Sequence, residues 1–448
     1  MKTPLLFVMG MFCTAVFAQE HYSGINISRR TGILNATINP AELSNLVNDH
    51  EVHVFSFSAN AANNKLTFKD LVNGDKDFED MLFAGDSPSN FRGDVEILGP
   101  AFAMKLDKWA FGITTAAKVK ASMVDINPVL GRAVTNGGVN NIIEAYNVLS
   151  DYNQRASGVS WGEIGLSASR ELYNSEEHRF TAGITLNLLF PGSYANMGAS
   201  GLRGTIRNTN GTVTLEDAHA EVEVAYSGSL ANDFTDSSNF TDFFAGGLNG
   251  LSTDFGITYQ WKEVDTGTNR LNAGLAVRNL GSMRFKDNNN ESYKYTLNVP
   301  DGEALNLNQF QDAESLSDIV EILEANSQYF TTTGRDRNFR VKMPAMFSAY
   351  ADLHVWGNFY FAAYTQQKLQ EDNNNGQIPV QNIITFTPRF AMKTFEAFIP
   401  FSHNEISEFT AGVGFRVGGF FIGSGSILSA AFGNTNQADA YAGFRFGF

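Results

Sequence analysis

The sequence predicts an all-β fold: a transmembrane antiparallel β-barrel of about 14 strands, or 16 if one ambiguous hairpin also spans. Three observations carry this. The chain closes on a strongly alternating strand, it contains a series of long alternating segments, and its connections sort by length onto two sides. At the C-terminus Phe444, Phe446 and Phe448 share one strand face with Ala440 and Ala442, while Tyr441, Gly443, Arg445 and Gly447 take the other. The clearest internal case sets Trp109, Phe111, Ile113 and Thr115 through Met123 against Ala110, Gly112, Thr114, Ala116, Lys118, Lys120 and Ser122. At roughly 15 residues it exceeds the usual 5–6 of a globular strand and is long enough to cross a tilted bilayer wall.

Composition agrees. The 448 residues carry 41 Gly, 38 Phe and only 18% charged side chains, suiting an apolar outer band with small residues inside. Met1–Ala18 reads as a signal peptide: Lys2, an apolar stretch to Phe17, and a cut after Ala18. The single cysteine, Cys13, falls within it, and Phe12 before it argues against a lipid anchor. A mature chain without cysteine has no disulfide and no thiolate metal site. After the leader no run of 18 apolar residues occurs, so no membrane-spanning helix is expected. The net charge of −15 argues against a nucleic-acid partner.

Residues 19–50 lack alternation and contain the turn signal Asn39-Pro40. Glu51 to Ala61 is a first strand, read with His53, Phe55, Phe57 and Ala59 on one face. Residues 62–90 are polar, with a short helix near Phe68–Leu71. The strand from Asp94 to Leu106 has uncertain bounds because Pro100 interrupts it. A long connection at 124–157 has a helical stretch near 141–149. Strands at 160–172 and 180–190 follow. Within 191–250, residues 203–228 form either two spanning strands or a hairpin inside a loop. Strands return at 251–261 and 271–277, then a long stretch at 286–338 contains a helix from about Glu314 to Ala325. Strands at 341–351, 358–369, 380–392, 395–401, 409–417 and 420–425 precede the last. If Glu51 starts at the periplasmic side, the turns near 107, 175, 265, 355, 394 and 418 are short. Those at 62–90, 124–157, 191–250 and 286–338 are long and lie on the other side, with 370–378, 403–407 and 427–438. This sorting is that of an outer-membrane barrel. The count is 14 with 203–228 as a loop hairpin and 16 with it spanning. Both return the C-terminus to the periplasm.

Two short motifs carry a family resemblance. Asn39-Pro40-Ala41 precedes the barrel. Asp254-Phe-Gly256 on one strand is followed by Asn279-Leu-Gly281 after the next. This resembles the FadL-like outer-membrane β-barrels, in particular those of Bacteroidota. The resemblance implies 14 strands, a plug or hatch at 19–50 and a barrel at 51–448. It implies a passive channel for small hydrophobic or amphipathic molecules. A second implication is a non-transporting scaffold, since some FadL-like barrels serve type IX secretion. The terminal strand, with Phe444, Phe446 and Phe448, is similar to the signal read by the barrel-assembly machinery. Expected partners are therefore outer-membrane lipid, that machinery, and a small amphipathic ligand or a surface protein.

No catalytic constellation and no cofactor motif stands out, and an enzyme is not expected. Gly158-Val-Ser160-Trp-Gly162 opens a strand, whereas a nucleophile elbow needs a strand-turn-helix context. His403, Glu405 and Glu408 read as a solvated loop rather than a metal site, and the acid-rich and Asn-rich 371–375 as a solvated loop tip. Alternation assigns Lys118, Lys120, Arg278, Arg340, Lys342, Arg389, Arg416 and Arg445 to the lumen, with few acids such as Asp254. These cations either pair with the plug or form a constriction that favours anions. A Gly-, Ser- and Thr-lined cationic lumen suits an amphipathic acid with an anionic head better than a long acyl chain.

Overall fold

The computed structural model describes residues 21–73, 78–135, 144–231, 237–263, 269–286, 289–311 and 313–448. Strands β1 (His50–Asn63), β2 (Ser89–Leu98 and Ala101–Leu106) and β3 (Trp109–Ile126) begin a ring. The long β4 (Asn153–Asn174) and β5 (His178–Thr209) follow, then β6 (Gly250–Lys262) and β7 (Asn269–Phe285). β8 (Phe339–Lys342 and Met346–Trp356) is interrupted around Pro344. β9 (Phe359–Lys368), β10 (Ile383–Ala391), β11 (Phe395–Phe398 and Phe401–Asn404) and β12 (Glu408–Ala411 and Val413–Val417) continue the ring. It ends with the short β13 (Phe420–Ser424) and the terminal β14 (Gln437–Gly447). Each strand pairs antiparallel with the next. β14 closes on β1, with Phe444 opposite Phe55 and Ala442 opposite Phe57. The ring therefore has 14 strands.

The outer face is apolar and open to its surroundings: Phe57, Phe111, Phe255, Phe386, Phe415 and Phe446 are all exposed. Trp109, Trp261 and Trp356 are exposed beside the short turns, which places an aromatic girdle at that rim. Three of the short turns take a left-handed residue: Asp107 (φ 54°), Gly357 (φ 56°) and Gly418 (φ 58°). Phe444, Phe446 and Phe448 continue the outer face, while Arg445 points inward and is buried.

Residues 203–228 form a hairpin in a loop. The upper half of β5 runs past the ring and pairs with the strand Thr212–Ser227. That strand pairs with Glu291–Asn306, which pairs with Phe330–Asp336. The helix Leu316–Ala325 starts at a capping box on Ser315 and Asp318, close to the expected span. Its Leu316, Ile319 and Leu323 share one apolar core with Leu215, Val222, Tyr295 and Phe330. The helix expected near 141–149 is not found: residues 141–143 lie outside the described residues, and Glu144–Leu149 is a strand pairing with 203–208. The short helix near Phe68 is present as Phe68–Asn73.

The wall has several register shifts, among them Val159/Trp161 and Glu171/Tyr173, and three irregularities bear on the lumen. A bulge between His53 and Phe55 turns His53 inward while Phe55 and Phe57 point out, so the expected shared face of His53 and Phe55 is corrected. Gly99-Pro100 splits β2. The third lies at Asn279 and Pro344 and is taken up below. The wall is also thin in one place. β13 meets β14 only through Phe420–Gly423. Beyond Ser424 the wall is continued by side chains: Asp439 accepts from Ser424 Oγ (2.8 Å), Ser426 Oγ (2.7 Å) and the Gly425 amide (2.5 Å). The exposed helix Ile427–Phe432 follows.

Candidate functional site: a chamber between the N-terminal segment and the wall

Residues 21–46 lie inside the ring and are almost wholly buried. Their partners come from walls all round it. Tyr22 Oη meets Ser56 Oγ of β1 (2.8 Å), Ser44 Oγ meets Ser169 Oγ of β4 (2.5 Å), and Ser28 Oγ donates to Glu396 of β11 (2.7 Å). Tyr441 of β14 donates to the Ser23 carbonyl (2.6 Å). Glu42 gathers three donors: Asn272 Nδ2 (2.8 Å), Asn45 Nδ2 (2.9 Å) and the Tyr350 hydroxyl. Its buried charge is held by hydrogen bonds from two walls and its own turn.

The two sequence motifs meet here. Asn39 caps the turn Pro40–Asn45 by accepting from the Ala41 amide (3.0 Å). Its Nδ2 donates to the carbonyls of Ile257 (3.0 Å) and Leu275 (3.2 Å), which face each other across β6 and β7. This approach is close because the wall carries glycine. A Cβ on Gly256 would lie 2.7 Å from Asn39 Cγ, and one on Gly274 2.7 Å from Asn39 Nδ2. A Cβ on Gly183 of β5 would lie 2.5 Å from the Ala41 nitrogen and 2.6 Å from the Pro40 carbonyl oxygen. Asn39, Pro40 and Ala41 thus dock on a glycine patch shared by three strands.

Asp254 and Asn279 do something different. Asp254 accepts from the Asn279 amide (2.6 Å) and from Asn187 Nδ2 (3.0 Å). Asn279 is left-handed (φ 59°), and the β6–β7 register slips between Val277 and Leu280. Asn279 Nδ2 donates to the Pro344 carbonyl (3.3 Å), linking this bulge to the break in β8. Below the paired irregularity Asn272, Ala276, Ser348 and Tyr350 are buried; above it Met283, Phe285, Val341 and Met343 are. Alternation counted through this point therefore fails. Arg340 and Lys342, expected in the lumen, are exposed on the outer side at the long-loop end. Because Asn279 needs the left-handed region, Asn279→Gly is expected to leave the thermal midpoint of the detergent-solubilised barrel within a few degrees. Asn279→Val should lower it by the equivalent of about 1–2 kcal/mol. Equal midpoints for the two would reject this role for the bulge.

The six other expected lumen cations do point inward, and carboxylates meet five of them. Lys118 lies 3.2 Å from Glu163 and 3.5 Å from Glu96; Lys120 lies 2.5 Å from Asp94. Arg389 pairs with Asp352 (2.5 Å), Arg416 with Glu396, and Arg445 with Glu51 (2.9 Å). Arg278 donates to Gln366 Oε1 (2.8 Å) and Tyr364 Oη (3.1 Å) and reaches the Thr37 carbonyl (3.4 Å). The lumen is thus a set of compensated pairs, not a cationic constriction. The acids come from the wall itself. Glu51, Asp94, Glu96 and Glu396 were missed in the sequence, although Arg92, Asp94 and Glu96 alternate visibly on the strand that Pro100 obscures. Ser160 sits within β4, its hydroxyl accepting from the Ser193 amide (3.0 Å). Among the described residues no group of three His, Cys, Asp or Glu is placed to hold a metal.

Between segment and wall lies a cavity of about 110 Å³. Ile33, Ile38, Leu43 and Leu98 give it an apolar side; Lys118, Glu163, Asp254 and Arg278 give it a charged one.

Several solved structures are similar in fold. The toluene transporter TodX of P. putida shares 10% identity at a TM-score of 0.46, over 93% of this chain and 94% of that one. A Pseudomonas aeruginosa FadL homologue shares 9% at 0.42, over 96% and 98%. The Ralstonia pickettii toluene transporter TbuX shares 9% at 0.36, over 94% of each. No curated protein matches the sequence. The model of a family of unknown function, DUF5723, matches residues 49–425, from the residue before β1 to the residue after β13, and the chain belongs to that family.

Proposed function

We propose that this chain is a passive outer-membrane transporter for small amphipathic molecules with anionic heads, and that residues 19–50 act as its plug. The observation that carries this reading is the two-sided chamber. An apolar wall faces an ion-paired one across about 110 Å³, which suits a molecule with one greasy and one polar end. Its size also limits the ligand. An engineered cavity of about 150 Å³ holds benzene, so the chamber suits a short molecule and not a long acyl chain. Passage then requires the segment or the outer loops to move. Purified protein in liposomes is expected to take up hexanoate several-fold faster than protein-free vesicles, with palmitate excluded. Uptake no faster than in empty vesicles would remove the reading.

A specific observation also favours a scaffold. The strands Thr212–Ser227, Glu291–Asn306 and Phe330–Asp336, with the helix Leu316–Ala325, form a module above the ring with its own apolar core. Failed uptake, combined with partner proteins retrieved from intact membranes only while residues 286–338 are present, would move the assignment there.

A further inference from the structure

Within the connection between β9 and β10, residues 369–382, the stretch 371–375 is expected to be a solvated tip. It folds into the mouth of the ring instead. Asp372, Gln377 and Ile378 are buried. Ile378 packs in one cluster with Trp161, Tyr194 and Met343. The contacts cross the barrel. Arg155 of β4 donates to the carbonyls of Asp372 (3.1 Å), Asn374 (2.5 Å) and Gln377 (2.8 Å). Asn153 Nδ2 donates to the Asn373 carbonyl (2.6 Å) and Asn196 Nδ2 to Asn375 Oδ1 (3.3 Å). On the far side Arg92 of β2 lies 3.1 Å from Asp372 Oδ2, and Lys368 of β9 lies 2.9 Å from the same oxygen.

The level is that of the long-loop rim. Arg92 stands opposite Ala62 near the end of β1, and Arg155 opposite Val124 near the end of β3. The chamber lies lower, beside Lys118 and Glu163. The N-terminal segment lines it, and the connection lies above it, touching Trp161, which also borders the cavity.

The chemistry of this contact is unequal. Arg155 is 0% exposed, Arg92 5% and Asp372 7%. The Asp372 carboxylate sits between Arg92 and Lys368, and Arg155 beside them is held by carbonyls of the connection and lies within reach of Glu223. Glu405 reaches Lys368 (3.0 Å) and accepts from the Asn382 amide (3.3 Å) and Asn382 Nδ2 (2.9 Å). Arg92 Nε is buried and makes no hydrogen bond. Arg155 is satisfied by carbonyls, which lack a full charge. Desolvating a guanidinium is costly, so each needs acceptors while the mouth is shut. With the connection lifted, water or an incoming anion can take their place, and a carboxylate matches the guanidinium fork better than a carbonyl does. Both positions leave the arginines satisfied, which a two-position element requires.

We propose that residues 369–382 are a lid over the outer mouth, and that Arg92 and Arg155 beneath it form a landing site for the carboxylate head of an entering amphiphile, which exchanges with Asp372. The identity of the cargo rests on the transport reading; the lid itself does not. The lid opens because the head group binds the arginines only when Asp372 has left, so the ligand favours one of the two positions.

The test reports the lid directly. In full-length protein carrying Cys13→Ser, Gln377→Cys puts a buried thiol on the lid. Its reaction with a bulky maleimide is expected to be at least tenfold slower than that of the exposed control Glu408→Cys. Hexanoate should raise the Gln377→Cys rate about fivefold or more, while hexanol at the same concentration leaves it unchanged. Arg92→Gln should raise the basal rate and abolish the hexanoate response, and Arg92→Lys should restore part of it. A heat-modifiable band on gels confirms that each variant is folded. A basal rate equal to the control would overturn the lid. An equal response to hexanol, or a hexanoate response that survives Arg92→Gln, would overturn the landing site. Anion-dependent labelling without liposome uptake would leave the lid standing and remove transport.

Discussion

Arg445→Ala is expected to destabilise the folded barrel by about 3–5 kcal/mol, the usual cost of leaving one member of a buried ion pair behind. Arg445 Nη1 lies 2.9 Å from both carboxylate oxygens of Glu51, and its other nitrogen donates to the Arg30 carbonyl. The pair therefore joins β14, β1 and the N-terminal segment at the seam that closes the ring. Without Arg445, Glu51 keeps a buried charge and the Asn48 amide as a partner (3.1 Å). Unfolding in urea from a detergent-refolded sample reads the loss. The double variant Glu51→Gln with Arg445→Met should recover most of it, because a neutral, well-packed replacement removes both desolvation costs. Phe446→Asp should behave differently. Phe446 is exposed close to the rim, where a charge on the lipid side costs about 0–1 kcal/mol. Its equilibrium stability should change little. Its level in the outer membrane should fall well below that of Arg445→Ala if the terminal aromatic face is what the assembly machinery reads. A Phe446→Asp protein that reaches the membrane as well as Arg445→Ala would sink the signal-strand idea.

Gly183→Val is expected to loosen the N-terminal segment. The new side chain meets backbone atoms of Pro40 and Ala41, which cannot rotate away as a side-chain tip would. Overpacking of this kind costs about 1–3 kcal/mol. Here it falls on the docking of the segment, since β5 remains held by β4 and β6. Trypsin should then cut at Arg29 or Arg30 in folded protein, and ion conductance in planar bilayers should rise by about tenfold or more. Asn39→Ala keeps the space and gives up three hydrogen bonds, two to the wall and one to the Ala41 amide, each worth about 1 kcal/mol, so it should show the same changes without the clash. Wild-type conductance and protease resistance in Gly183→Val would mean that the glycine patch does not hold the segment.

The fold was legible because a barrel writes its period into every wall strand. Trp109 to Met123 and Tyr441 to Phe448 alternate without interruption in the sequence, and Lys118, Lys120 and Arg445 meet Glu163, Asp94 and Glu51 of neighbouring strands. Loop parity gave two strand counts, and the structure chooses 14, with 203–228 as a hairpin in the outer module. The failures occur where the period is broken by geometry that composition does not announce. Asn279 and Pro344 reset two adjacent strands together, so Arg340 and Lys342 were counted onto the wrong face. Gly99-Pro100 hid a strand whose Asp94 and Glu96 neutralise Lys120 and Lys118. Residues 371–375 are as polar as a solvated tip, yet their polarity is spent on Arg92, Arg155, Asn153 and Asn196. No local pattern shows that partners 179 to 280 residues away will converge on one loop. The docking of Asn39 was half visible. Both motifs could be quoted, but their contact depends on three glycines from three strands sharing a face.

The short β13 has a consequence for how the wall yields. The longest ladders lie between β3, β4 and β5, whereas five residue pairs join β12 to β13 and only four join β13 to β14, where the carboxylate of Asp439 continues the contact. Protection against amide exchange should therefore be lowest along Phe420–Ser424 and the upper part of β14, and stretching or thinning the bilayer should act there first. The cylinder has a preferred line of fatigue. It runs beside the strand that closes the ring, so the seam of the finished wall borders the first place it can give.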